Sequence, residues 1–216
     1  MPDSREAILA RIRSSIGPDH GLPADPSAER ARLPRTYRRS GTLDPDALLH
    51  LLIDRLRDYD TNVVETSPSS VPQIIADVLA QHNERKVIVA EGLAPDLLPS
   101  QFRFLPEREA DLEDLNSCDG IVTICTVAIA STGTIVLTHG PGEGARRLTL
   151  VPDRHLCILR AGQVVETVPE AFDRLASFAT HPLTFISGPS ATADIEMTRI
   201  RGVHGPRFLD VILVRE

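Results

Sequence analysis

Tryptophan is absent from this 216-residue sequence, and aromatic residues make up only 4% of it. Stacking surfaces for nucleic-acid bases or for a flavin are therefore scarce. The net charge of -7 also disfavours general nucleic-acid binding. No apolar run reaches the roughly 18 residues that a membrane-spanning helix needs, and the N-terminal segment is charged, without an apolar signal core. These features predict a cytoplasmic protein that binds neither nucleic acid nor membrane.

Cysteine is scarce as well. The three cysteines, Cys118, Cys125 and Cys157, form no CxxC pair, and each lies in or beside an apolar, strand-like run. This placement is more typical of small buried hydrophobic residues than of metal ligands or disulfides. We therefore expect no metal, no iron–sulfur cluster and no other cofactor on this chain.

Hydrophobic residues form 42% of the chain and charged residues 25%. This balance suits a globular domain that buries about 70% of the surface of the unfolded chain. Predicted helices (47–59, 71–81, 112–116 and 169–178) alternate with predicted strands (62–65, 86–90, 102–105, 119–125, 134–138, 155–160 and 163–167). The alternation predicts an α/β fold with a mainly parallel sheet and flanking helices. We expect Gly162 at the tip of a hairpin between the last two of these strands.

The N-terminal region differs in character from the rest. Ser4–Ile16 has the apolar stripe of a helix, and Gly17-Pro18 ends it. Residues 17–43 lack periodicity and are locally basic, which predicts an extended arm. The arm is either solvated or docked on an acidic neighbour such as another subunit. The predicted organisation is thus an N-terminal helix and basic arm over residues 1–43, followed by an α/β domain over residues 44–216.

The densest group of special residues lies near the C-terminus. A strand at 183–187, a Gly-Pro turn, a short helix and a strand at 208–214 predict a compact βαβ unit. Gly188 permits the turn, and Ser190 or Thr192 can cap the helix. Because ligands bind at the carboxyl ends of strands in open α/β sheets, we expect the main site here.

A second candidate interrupts an apolar run at Thr132-Gly133-Thr134, after Ser131. One interpretation is a tight turn in which Gly133 takes a special backbone torsion. The other is a polar cluster that lines a pocket for a carbonyl, phosphate or hydroxyl group.

A third candidate is the glycine-rich loop at 139–147, which ends in Arg146-Arg147. The loop is either mobile or a clamp in which Arg146 and Arg147 bind a carboxylate or phosphate, and Arg147 is the one assigned to the site. It lacks the Lys-Ser/Thr ending of a P-loop, so the sequence does not support nucleoside triphosphate binding.

Two histidines invite different interpretations. His155 alternates with apolar neighbours and is expected to be a sheet residue. His204 lies in a loop beside the expected crevice, either as a hydrogen-bonded structural residue or as an acid/base group, for which Asp194 and Glu196 are the nearest acidic candidates in the sequence. No nucleophile–base motif identifies a catalytic residue. The candidate ligand-binding residues are Thr132, Gly133, Thr134, Arg147, Gly188, Ser190, Thr192, Asp194 and His204, and no metal ligands are assigned.

Six segments, taken together, carry a resemblance: Asp119–Ile121, Thr132–Val136, Leu150–Pro152 with His155, Thr184–Ser190, Thr192–Glu196 and Gly202–Pro206. They resemble the lactate utilization protein C family over about residues 45–216. The resemblance implies a LUD domain, similar in fold to the sugar-phosphate isomerase and CoA-transferase-like superfamily. It also implies a part in oxidising L-lactate to pyruvate, together with partner proteins that carry iron–sulfur centres.

The resemblance thus implies a non-redox component that binds a small organic acid or phosphate, or that organises iron–sulfur subunits, as a monomer or a homo-oligomer. In the family an acidic residue often precedes Thr-Gly-Thr, whereas this chain has Ser131. Because CoA-transferase-like relatives use a glutamate nucleophile, covalent acyl transfer is not implied here. One alternative is a stand-alone enzyme acting on a sugar phosphate, folate or CoA ester in the same crevice. Another is a regulatory sensor, so whether the chain is an enzyme stays open.

Overall fold

The chain divides into two units, residues 1–37 and 38–216, in a computed structural model that describes residues 4–16, 26–192, 200–201 and 205–215. The first unit contains helix α1 (Ser4–Ile16), as predicted, and helix α2 (Pro26–Arg32). Helix α2 corrects the expectation of a continuous extended arm. Pro26 suits the first position of a helix, and the alanine, glutamate and arginine residues that follow favour helix formation.

A six-stranded parallel sheet organises the second unit. Its strands, in spatial order, are β1 (Asn62–Thr66), β12 (Phe208–Val214), β7 (Arg154–Arg160), β4 (Gly120–Ile124), β2 (Val87–Val89) and β3 (Phe104–Pro106). Every neighbouring pair is parallel. The predicted α/β class with a mainly parallel sheet is confirmed.

A second, mixed sheet has four strands in the order β8 (Val164–Val165), β5 (Val127–Ile129), β6 (Thr134–Leu137) and β9 (Thr184–Ile186). Strand β6 is antiparallel to both of its neighbours, and β8 is parallel to β5. A two-stranded antiparallel ribbon joins β10 (Ala191–Thr192) to β11 (Ile200–Arg201).

Two predictions about strand pairing are wrong. The predicted hairpin around Gly162 does not form, because β7 lies in the parallel sheet whereas β8 pairs with β5 in the mixed sheet. The predicted βαβ unit does not form either, since β9 and β12 belong to different sheets. Ala191–Thr192, expected at the start of its helix, is a strand instead, and residues 193–199 lie outside the described part of the chain.

The α-helices in the described part of the second unit are α3 (Pro45–Asp58), α4 (Val71–Gln81), α5 (Leu112–Ser117) and α6 (Val168–Arg174). The Asp44 carboxylate caps α3 by accepting a hydrogen bond from the Ala47 amide at 3.0 Å. Thr167 and Glu170 cap α6 reciprocally. Among the described residues, no helix combines the length and the apolar character that crossing a membrane would require.

Side-chain alternation along β7 and β12 separates two cores. Leu156 and Ile158 of β7 face the core formed with α4. Cys157 and Leu159 face the opposite core, which contains α3 residues and the inner side chains of the mixed sheet. Helix α6 packs on the outer face of the mixed sheet. The mixed sheet therefore covers one face of the parallel sheet, and α4 covers the other.

The segment before α3 is fixed by two acidic side chains of the second unit. Glu166 is 5% exposed, accepts hydrogen bonds from the Thr42 and Leu43 amides at 2.6 and 2.8 Å, and pairs with Arg38. These hydrogen bonds lower the pKa of Glu166. The Gly41 amide donates to Glu170 at 2.9 Å. At least one basic residue of the predicted arm thus binds an acidic group of its own chain.

A buried ion triad lies at the amino ends of β7 and β12. Arg154 pairs with Glu84, which follows α4, and with Asp210 of β12, and all three residues are at most 8% exposed. The guanidinium also lies 4.7 Å from the ring centroid of Phe208. Burial raises the pKa of Glu84 to about 7 even though Arg154 acts in the opposite direction. Oxygen Oε2 of Glu84 has no hydrogen-bond partner among the described residues.

The free energy of unfolding should therefore depend on pH through Glu84. Its pKa is about 7 in the folded protein and 4.5 ordinarily, so the protonated carboxyl is favoured by folding. This contribution is fully present below pH 4.5 and is lost as the pH rises to about 7. We predict that Glu84→Gln gains stability relative to the parent protein across that interval, measured by urea unfolding. The exposed substitution Glu113→Gln is the control, and a pH-independent difference for Glu84→Gln would contradict the assignment.

Candidate functional site

A cleft of about 360 Å³ opens beside the segment that follows β9. We call it the Ser187 cleft. Its described lining consists of Arg146, Thr149, His155, Thr184, Phe185, Ile186, Ser187, Gly188, Pro189, Ser190, Ala191, Pro206 and Leu209. The predicted turn thus does line a cavity. The cleft lies at the carboxyl end of β9 but at the amino ends of β7 and β12, so the expected position at the carboxyl ends of the strands holds only for β9.

The turn at Gly188 is set by contact with α3. Gly188 has φ +88°, and a Cβ atom there would lie 2.5 Å from the Cβ of Tyr59, which ends α3. The following loop is closed by the Ser190 amide, which donates to the Pro206 carbonyl at 2.8 Å. Gly188 therefore allows the chain to pass the end of a helix, and this places Ser187 and Ser190 in the cleft.

The two glycine-centred breaks in the sequence meet at one end of the mixed sheet. The Thr132 and Thr134 hydroxyls are 2.7 Å apart, and that of Thr134 lies 2.7 Å from the Ser187 hydroxyl. Gly133, with φ +58°, would clash through a Cβ atom with the backbone of Arg55 in α3. Gly133 thus fits the interpretation of a tight turn with a special backbone torsion. Thr134 does not line the cleft itself but is hydrogen-bonded to Ser187, which does.

The cationic group of the cleft is Arg146. Its guanidinium donates to the hydroxyl and carbonyl of Thr149, and within the described part of the chain it makes no ion pair. Arg147, the predicted cation, instead donates to the Glu107 carbonyl at 3.3 Å and is not part of the described lining. The described lining contains no carboxylate either, so the positive charge of Arg146 is not neutralised there.

His155 is the least exposed polar group of the lining, at 1% exposure. Its Nε2 atom lies 2.8 Å from the hydroxyl of Thr123 on the adjacent strand β4. Burial lowers the pKa of His155 to about 4, so the ring is neutral near pH 7. The sequence pattern predicted a sheet histidine, and His155 is one. Alternation alone did not reveal that this face of β7 opens into a cleft.

The remaining predicted residues are only partly described. Thr192 contributes its backbone to β10. Asp194 and His204 lie outside the described residues.

The glycine-rich loop at 139–147 is held in place, which corrects the interpretation of a mobile loop. Glu143 is 3% exposed and accepts from the Thr138 amide and hydroxyl and from the Thr126 hydroxyl. His139, with φ +59°, bonds the Gly144 carbonyl and the Thr184 hydroxyl, each at 2.7 Å. His139 thereby links the loop to β9, and the loop positions Arg146 near its end.

A second cavity of about 580 Å³ is lined largely by residues of this loop, and we call it the Gly140 cleft. Its described lining is Glu91, Gly92, Glu107, His139, Gly140, Pro141, Gly144, Ala145, Arg146 and Pro182. Arg146 is shared by the two clefts. The Gly140 cleft also contains two carboxylates, so an anion would meet repulsion there that is absent from the described lining of the Ser187 cleft.

The three cysteines are free and buried. Burial raises the pKa of Cys118 to about 11, and the adjacent Cys157 together with burial raises that of Cys125. Within the described residues, no cluster of three or more His, Cys, Asp or Glu side chains is arranged to hold a metal ion.

Comparisons with known proteins agree with one another. The family described as LUD domain matches residues 44–214. A lactate utilization protein C from Deinococcus radiodurans is 42% identical over 170 residues, which are 77% of this chain and 79% of that protein. One from Bacillus subtilis is 26% identical over 234 aligned positions, covering 99% of this chain and 97% of that protein. A crystal structure of a DUF162 family protein from Deinococcus radiodurans matches with TM-score 0.71 at 36% identity, over 80% of this chain and 99% of that chain.

The packing of Gly188 predicts the effect of adding one methyl group. Gly188→Ala should lower the free energy of unfolding by about 2 kcal/mol, because of the positive φ and the overlap with Tyr59. Gly162→Ala is the matched control, since no atom lies within 4 Å of a Cβ at that position. Chemical denaturation measures both variants. Equal stability of Gly188→Ala and the parent protein would show that the turn is not set by α3.

Proposed function

Because the chain belongs to the lactate utilization protein C family and carries its LUD domain over residues 44–214, we propose that it is a non-redox component of an L-lactate oxidation system. In this proposal it works in the cytoplasm with iron–sulfur partner proteins and holds a small anionic ligand in the Ser187 cleft. The observation that carries the ligand assignment is Arg146, a cation without an ion-pair partner in the described residues, beside a cleft whose described lining has no carboxylate.

The cleft has the groups that a small carboxylate requires. A guanidinium binds a carboxylate through two parallel hydrogen bonds, and Arg146 uses only one terminal nitrogen on Thr149. Ser187 and Ser190 add hydroxyls to the lining, and Phe185, Ile186 and Leu209 add apolar surface. A volume of about 360 Å³ is near the lower end of the range for ligand pockets, which suits a small acid.

The chemistry of the cysteines supports assigning the redox step to partner proteins. Iron–sulfur clusters bind thiolates, whereas burial raises the pKa of Cys118, and the adjacent Cys157 together with burial raises that of Cys125. Cys125 and Cys157 also belong to a packed apolar core and are at most 1% exposed. Free thiols fit the reducing cytoplasm that the proposal assigns.

Replacing the cation tests the proposal. In a strain that lacks the gene, Arg146→Gln should fail to restore growth on L-lactate. In calorimetry the purified variant should bind L-lactate at least about tenfold more weakly, because a charge-assisted hydrogen bond is lost. The exposed position of Arg146 should keep the change in stability within about 0.5 kcal/mol.

Arg174→Gln is the matched control, because Arg174 lies on α6 and donates to the Gly162 carbonyl away from the cleft. It should restore growth fully. Normal growth and normal lactate binding with Arg146→Gln would contradict the cleft assignment. Normal growth on lactate after deletion of the whole gene would contradict the pathway and favour a stand-alone enzyme.

A further inference from the structure

His155 has one ring nitrogen that the protein itself does not use. Its Nε2 is held by the Thr123 hydroxyl at 2.8 Å, and its Nδ1 has no hydrogen-bond partner among the described residues. The side chain is 99% buried but lines the Ser187 cleft. Within the described residues, Thr61 Oγ1 and Glu84 Oε2 are fully enclosed without a hydrogen-bond partner, whereas the His155 Nδ1 is not fully enclosed. It follows that Nδ1 is the nitrogen that is open to the cleft.

The Thr123 hydroxyl lets this nitrogen change its role. When Nε2 carries the proton it donates to Thr123, and Nδ1 is then an acceptor. When the Thr123 hydroxyl turns and donates to Nε2, the proton lies on Nδ1, which becomes a donor. Thr123 is fully buried, and its side chain has no other hydrogen bond in the described residues that would oppose this rotation. The ring can thus meet either a hydroxyl or a carbonyl oxygen.

We propose that the Ser187 cleft recognises 2-hydroxy and 2-oxo monocarboxylates, with the Arg146 guanidinium on the carboxylate and the His155 Nδ1 on the oxygen at carbon 2. This assignment rests on the proposed function and adds the chemical class of its ligand. A 2-hydroxyl donates to the unprotonated Nδ1, and a 2-carbonyl accepts from the protonated form. One site therefore holds both the reduced and the oxidised acid without rearranging its backbone.

The surroundings of His155 suit this role. Because burial lowers its pKa to about 4, the ring is neutral at physiological pH and both tautomers are available. Leu209 lies beside His155 across the β7–β12 pair and lines the same cleft, where it offers an apolar contact for a short alkyl group. Arg146 is the charged group of the described lining. In this proposal its positive charge selects ligands with a carboxylate, and His155 selects those that carry an oxygen at carbon 2.

Calorimetry on the full chain with three acids of similar size tests the inference. Propionate lacks the oxygen at carbon 2 that L-lactate and pyruvate carry. The parent protein should bind L-lactate and pyruvate about fivefold to tenfold more tightly than propionate. This ratio of affinities is what one additional hydrogen bond to a buried group contributes. Equal affinity for all three acids would overturn the inference while leaving the Arg146 assignment intact.

Two substitutions separate the ring nitrogens. The amide of His155→Gln replaces Nε2, so it can keep the contact to Thr123 but should lose the preference over propionate. The amide of His155→Asn replaces Nδ1 and should keep part of that preference. Neither substitution should change propionate affinity by more than about twofold, because its carboxylate contact does not involve His155. A full preference retained in His155→Gln would overturn the inference.

A measurement on the parent protein avoids any dependence on variant folding. In ¹⁵N NMR, L-lactate should change the imidazole resonances of His155, whereas propionate should leave them unchanged. Identical spectra with both acids would refute the role of His155. If none of the three acids binds and Arg146→Gln also restores growth on lactate, the proposed function fails together with the inference.

Discussion

The pairing of β7 with β12 at their amino ends is the constraint on which the rest of the domain depends. Arg154 links β7 to Asp210 of β12 and to Glu84 after α4, in an environment where all three side chains are almost fully buried. Removing the shared cation Arg154 should cost about 3–5 kcal/mol, because the buried carboxyl groups of Glu84 and Asp210 would be left without it. Since side chains alternate along a strand, fixing Arg154 on one face also fixes His155 on the other. The ion triad on the α4 side thereby sets the position of the cleft on the opposite side.

Two glycines of the sequence have a structural role where the candidate site meets helix α3. Gly133 and Gly188 both pass close to α3, the first beside Arg55 and the second beside Tyr59. Helix α3 in turn packs its apolar face into the core shared by the two sheets. The close packing against α3 therefore constrains the backbone of both turns. The Ser187 hydroxyl reaches the cleft because the chain bends around the end of α3.

Local pattern predicted the elements well and their arrangement less well. Helix α4 was predicted over 71–81 and lies there, since apolar spacing and Pro72 at its start are local signals. Sheet membership is set by distant contacts: β7 and β8 are separated by only three residues but join different sheets. For the same reason His155 was not predicted as a cleft residue, and Arg147 was assigned to the site in place of its neighbour Arg146. The role of Arg146 and His155 depends on β9 and β12, which bring Ser187 and Leu209 beside them from later in the chain.

Arg146 borders two clefts, so the most direct measurement is one that shows which of them holds the acid. Backbone amide shifts of the full chain, recorded while L-lactate is added, would map the contact. The largest changes are predicted at Thr149, at His155 and along Ser187–Ala191, where the described lining of the cleft has no carboxylate. Changes centred instead on Glu91, Gly92 and Gly140 would place the ligand in the Gly140 cleft and contradict the assignment.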